Sequence, residues 1–179
     1  SLMRARSASG APTILFLCER LPHVVLGTPF LRHRDMMIGL SQLGYQVTVF
    51  PLDGSLHDCV STALDFPAAI ELMDDCDLSE LPDFLRERAG CFDYVWIGGM
   101  KTLQRAAPIL QQHPQSLPRL GMVADIHASH ARETHNRRLV GAVNNRELLF
   151  DDLDQDTDQV WMTQAVVAGT DTEKAALEV

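Results

Sequence analysis

The chain has 179 residues, 46% hydrophobic and 22% charged, a balance that fits one globular domain with a real core and argues against extensive disorder. A formal net charge of −9 repels nucleic-acid phosphates, so nucleic acid is not an expected partner, while membrane association is left open. The apolar runs are too short to span a bilayer and no secretory pattern follows the N-terminus, which points to the cytoplasm.

Residues 1–11 mix arginine, serine, alanine and glycine without periodicity and read as a disordered leader or expression remnant, so the folded domain is expected over 12–179. Thr13 to Cys18 is a continuous apolar run and suits a strand buried on both faces. A helix is predicted from Phe30 to Leu43, with Met36, Met37, Leu40 and Leu43 on its apolar face and Gly44 as its stop. Gln46 to Pro51 forms a second strand, closed by the turn-forming pair Asp53 and Gly54. Ala69 to Met73 reads as a short third strand, and Leu81 to Ala89 as a helix with Pro82 in its first turn and Gly90 as its stop.

Asp93 to Ile97 is a compact strand ending at Gly98 and Gly99. Leu103, Ala106, Ala107 and Leu110 mark the next helix, which Pro108 is expected to kink or restart. A strand over Arg119 to Ala124 leads into Asp125, Ile126 and His127, and a long polar helix or helix pair follows from about Ala128 to Leu153. Gln164 to Ala168 is the last strand, after which Thr170 and Glu173 suit a capping box opening a helix that is still unfinished at Val179. Alternating strands and helices imply an α/β fold, a Rossmann-like parallel sheet with helices on both faces.

Cys18, Cys59, Cys76 and Cys91 are widely spaced and read as reduced, mostly buried thiols rather than a disulfide framework. There is no G-x-G-x-x-G after the first strand, no Walker-type loop, no G-x-S-x-G elbow and no H-E-x-x-H. Dehydrogenase, P-loop NTPase, α/β-hydrolase and zincin readings therefore lose their main support. Polar and glycine residues gather instead where strands end: Glu19 to Thr28, Gly98 and Gly99, Asp125 to His127, and Gly169 with Thr170. Open α/β sheets bind ligands there. Each of these residues also has an ordinary structural explanation as a turn or cap.

The ordered segments ILFLCERLPHVVLGTPFLRHRDMMIGLSQLGYQVTVF, FDYVWIGGMKTLQRAAPIL, LGMVADIHA, NNRELLF and AVVAGTDTEKAAL resemble the N-terminal domain of family 4 glycosyltransferases. That resemblance implies the N-terminal half of a GT-B fold, in which two Rossmann-like domains face each other across a cleft. It implies retaining transfer of a sugar from a nucleotide-sugar donor to a carbohydrate or other acceptor, with no cofactor and usually no essential metal. The donor would be held mainly by a second domain, absent here, and this half would be inactive alone. By the same resemblance His127 is the candidate catalytic residue, with Gly27, Thr28, Gly98, Gly99 and Asp125 binding substrate. Thr28 departs from the commoner paired glycines of the family, which weakens the case for close phosphate approach at that loop.

His127, His130 and His135 lie close in sequence, but a step of five residues turns the third away on a helix and no cysteine is near, so metal binding is not expected. The acidic run Asp151, Asp152, Asp154, Asp156 and Asp158 lacks the glycine and distal glutamate of a calcium loop. Arg132, Arg137, Arg138 and Arg146 fit surface pairing with those aspartates. A receiver-like signalling domain fits poorly at Cys18 and Glu19, Gly98 and Gly99, and Asp125. A non-catalytic Rossmann-like binding or scaffold module remains the alternative.

Overall fold

The computed structural model of the protein describes residues 10–23, 28–54, 65–116, 118, 121–126 and 165–168. The helix expected from Ala128 to Leu153, the histidine group from His127 to His135, the acidic run and the capping box at Thr170 lie outside them.

Strand β1, Thr13–Cys18, is buried along its whole length, as six consecutive apolar-compatible residues between Pro12 and the Glu19-Arg20 pair require. Helix α1, Thr28–Gln42, follows, and Gly44 at φ 92° is the left-handed residue just past its end. Met37 is fully buried and His33 nearly so, four residues apart on the face turned to the sheet. Leu43, expected on the apolar face of this helix, is 77% exposed. It sits one residue beyond the last helical position, where the helical phase no longer carries a side chain to the core.

Strand β2, Gln46–Pro51, matches its expected bounds, and β3, Glu71–Leu72, is a two-residue strand inside the expected Ala69 to Met73. A single 3-10 turn at Leu78–Glu80 leads into helix α2, Leu81–Glu87. Asp77 caps that turn: its carboxylate accepts from the Ser79 amide at 2.7 Å while Glu80 accepts from the Asp77 amide at 3.0 Å. Strand β4, Tyr94–Gly98, runs into helix α3, Met100–Gln112. Pro108 neither ends nor restarts α3, contrary to the sequence expectation. Leu103, Ala106, Ala107 and Leu110 are all essentially inaccessible to solvent, and their burial holds the helix through the proline, which is itself exposed. Strands β5, Gly121–Ile126, and β6, Ala165–Ala168, are the last two described strands.

The six strands form one sheet in the order β3-β2-β1-β4-β5-β6, and every neighbouring pair is parallel. Side chains alternate across it. Leu15, Leu17, Phe50, Val95, Ile97, Met122 and Ala124 face α2 and α3, whereas Phe16, Cys18, Val47 and Val49 face Met37 of α1. The protein is thus an α/β fold of Rossmann-like type with helices on both faces of a parallel sheet.

Candidate functional site

The strand order decides where a ligand site forms. Chain leaving β1 turns to one face of the sheet to build α1, and chain leaving β4 turns to the other to build α3. A crevice opens between the carboxyl ends of these two neighbouring strands, at the point where the winding reverses. Pairing register brings Cys18, Gly98 and Asp125 into one row along that rim.

Gly98 of β4 is where side chains from two other elements, α1 and β1, close in. A Cβ there would lie 3.0 Å from the His33 ring and 3.0 Å from the Phe16 ring, so only a glycine leaves room for His33 to lie over the strand end. Gly99 follows at φ 100°, ψ 154°, a conformation that L side chains rarely adopt, and opens α3. Its amide donates to the Asp125 carbonyl at 2.9 Å, carrying the pairing of β4 with β5 one step past the strand.

Asp125 points to the α1 face and is fully buried. Its carboxylate accepts from Arg32 Nη1 at 2.7 Å, and His33 Nε2 lies 3.9 Å from the same oxygen. Burial of a carboxylate is tolerable because the guanidinium supplies the opposite charge. Arg32 keeps 30% of its side chain exposed, so the buried aspartate holds a cation that solvent can still reach. Across the crevice mouth, Lys101 in the first turn of α3 pairs with Glu19 at the exit of β1, Nζ to Oε1 2.5 Å.

A second group of charges lies beyond β2. The amides of Leu52 and Asp53 donate to the carbonyls of Cys18 and Glu19 at 2.8 Å each, extending the β1 pairing and fixing Asp53 beside Arg20. Arg105 of α3 donates to Asp53 Oδ1 at 2.7 Å and to the Leu52 carbonyl at 3.3 Å, and Arg20 Nε stands 3.5 Å from Asp53 Oδ2. Burial would raise the Asp53 carboxyl, but the Arg105 and Arg20 guanidiniums outweigh it and hold it below the usual aspartate range. An open pocket of about 790 Å³ borders this group, with walls from Leu52, Leu78, Pro82 and Ile109.

Of the residues singled out in the sequence, Gly98, Gly99 and Asp125 come together at the rim. Thr28 is the first residue of α1, and Gly27 and His127 lie outside the described residues. Arg32, His33, Lys101, Arg105 and the arginine-bound state of Asp53 escaped the sequence reading. His33 had one legible signal, its place four residues before the core residue Met37.

No family model and no curated protein matches the chain. Among solved structures, Phytolacca americana UGT2 complexed with UDP-2fluoro-glucose and pterostilbene aligns at 12% identity and a TM-score of 0.48. The alignment covers 75% of this chain and 35% of that one, so this chain spans about a third of the length of the matched structure. The location of the crevice rests on the strand order of the sheet itself.

Proposed function

We propose that the chain is the acceptor-side half of a retaining GT-B glycosyltransferase, moving a sugar from a nucleotide-sugar donor to a carbohydrate or other acceptor. The observation that carries the reading is the rim itself. Three of the segments in which the sequence resembles family 4 enzymes pass through the row of Cys18, Gly98 and Asp125, in a sheet wound so that a crevice opens there.

In this reading Gly98 and Gly99 give backbone access to the crevice, and Asp125 acts through Arg32, which it holds by a part-buried ion pair. Gly27 and Thr28 border the acceptor, and His127, two residues past Asp125, is the catalytic candidate, an imidazole able to hydrogen-bond a sugar hydroxyl. The donor is held mainly by a second Rossmann-like domain following residue 179. One wall of a cleft cannot hold donor and acceptor in attack geometry, and losing that positioning forfeits about 7–11 kcal/mol of barrier reduction, so this half alone transfers nothing.

The test is a transfer assay on the natural full-length protein with a panel of nucleotide sugars, comparing wild type with His127→Ala. Turnover that falls far more than melting temperature supports the reading. Absence of transfer by the wild type, or tight nucleotide-sugar binding by residues 1–179 alone, overturns it and favours a binding module.

A further inference from the structure

The group around Asp53 is separate from the rim crevice. It lies past the end of β2, on the sheet face covered by α2 and α3, whereas Gly98 and Asp125 lie on the face covered by α1, against its His33. Two guanidiniums converge on one carboxylate at the edge of an open pocket, and nothing in the transfer reading uses them.

The geometry points to a second ligand site here, in which Asp53, Arg105 and Arg20 take a vicinal diol, the ring edge of a ribosyl or pyranosyl group. Three features carry this. Asp53 keeps 27% of its side chain exposed, and each carboxylate oxygen has two lone pairs, so the Arg105 bond to Oδ1 leaves acceptor capacity toward the pocket. Arg20, with 39% of its side chain exposed, sets a fork of donors beside the same carboxylate. Adjacent hydroxyls both donate and accept, which matches a carboxylate flanked by guanidiniums. The walls of Leu52, Leu78 and Pro82 are apolar and suit the C–H face of a sugar ring or a base attached to it.

An anion is the poorer occupant. Arg20 and Arg105 are matched in the lining by Asp53 and Asp77, so no net positive charge draws an anion in. Any anion reaching the arginines also meets the Asp53 carboxylate, which the same arginines keep ionised. The inference stands independently of sugar transfer at the rim.

The experiment uses the whole 179-residue chain, labelled for amide NMR and titrated separately with uridine, its dideoxy analogue lacking both ribose hydroxyls, methyl β-glucopyranoside and inorganic phosphate. Saturable shifts of the Gly54, Ser79 and Arg105 amides are expected with uridine or the glucoside, with Kd on the order of 1 mM. A response to uridine that weakens at least about ten-fold in the dideoxy analogue identifies a ribosyl ligand, and a response to the glucoside alone identifies a pyranosyl one. Asp53→Asn should weaken either response about ten-fold or more, and Arg20→Ala serves the same purpose should Asp53→Asn fail to fold. Silence with both diols, equal binding of uridine and its dideoxy analogue, or phosphate shifting these amides in place of the diols overturns the site.

Discussion

Arg32 and Asp125, 93 residues apart in sequence, meet through a 2.7 Å bond between Nη1 and Oδ2. The contact ties α1, which follows the first strand, to the end of β5, two strands away in the sheet. It also leaves Asp125 to act on the rim through its neighbours, since the aspartate itself has no exposed surface.

Replacing Arg32 by methionine keeps the apolar stem and leaves the buried carboxylate without its guanidinium. The expected loss is about 2–3 kcal/mol of stability, toward the lower end for a buried pair because Arg32 is part-exposed. Urea unfolding of Arg32→Met measures it. The double variant Arg32→Met with Asp125→Asn should recover part of the loss, and additive losses would show that the two residues do not act as a pair.

Gly98→Ala places a methyl group 3.0 Å from the His33 and Phe16 rings. Both rings are well packed, so the added carbon forces one to shift, at a cost of about 1–3 kcal/mol. Thermal melts check the cost. Amide shifts clustered at His33 and Asp125, with those at Gly54 unmoved, would place the disturbance at the rim.

The ion pairs of Asp53 predict a particular acid response. Its folded carboxyl titrates below the unfolded value because Arg105 and Arg20 favour the anion, so the folded state binds fewer protons there than the unfolded one. The resulting stabilisation is complete above about pH 4, the ordinary aspartate range, and is lost as pH falls through the lowered value. Asp53→Asn should therefore be less stable than wild type at neutral pH, with the gap closing in strong acid. A gap independent of pH would assign the loss to packing instead.

Pro108 lies inside α3 with its ring exposed, where it removes one helical hydrogen-bond donor. Pro108→Ala restores that donor and should raise stability by about 1–2 kcal/mol, the helix gain being partly offset by a more flexible unfolded chain. A rise in the urea midpoint at constant slope checks this, and a fall would mean that α3 is shaped around the proline.

The sheet was legible wherever local pattern and burial agree. Val47, Val49 and Phe50, closed by the turn-forming Asp53-Gly54 pair, gave β2 its bounds, and Gly98-Gly99 marked the end of β4 within one residue. Pro108 misled because a local rule was overridden by four buried side chains of α3, a tertiary effect no window of sequence displays. The glycines and Asp125 of the rim were visible as strand-end residues, but their partners were not. Arg32 pairs across 93 residues and Arg105 across 52, and such pairings exist only once strand order is known. Asp53 looked like a turn former because its neighbour is glycine, and its second role depends on arginines supplied by other elements.

Strand β1 lies at the centre of the sheet, between β2, which begins at Gln46, and β4, which begins only at Tyr94. During synthesis the ribosome releases TILFLC before the other described strands, yet one side of its ladder has no partner until about eighty further residues have emerged, several seconds at typical elongation rates. For that interval an apolar strand destined for complete burial has an open hydrogen-bonding edge. Nascent chains of this protein should therefore draw on chaperones early, and segments of it ending before Tyr94 should aggregate where longer ones stay dispersed.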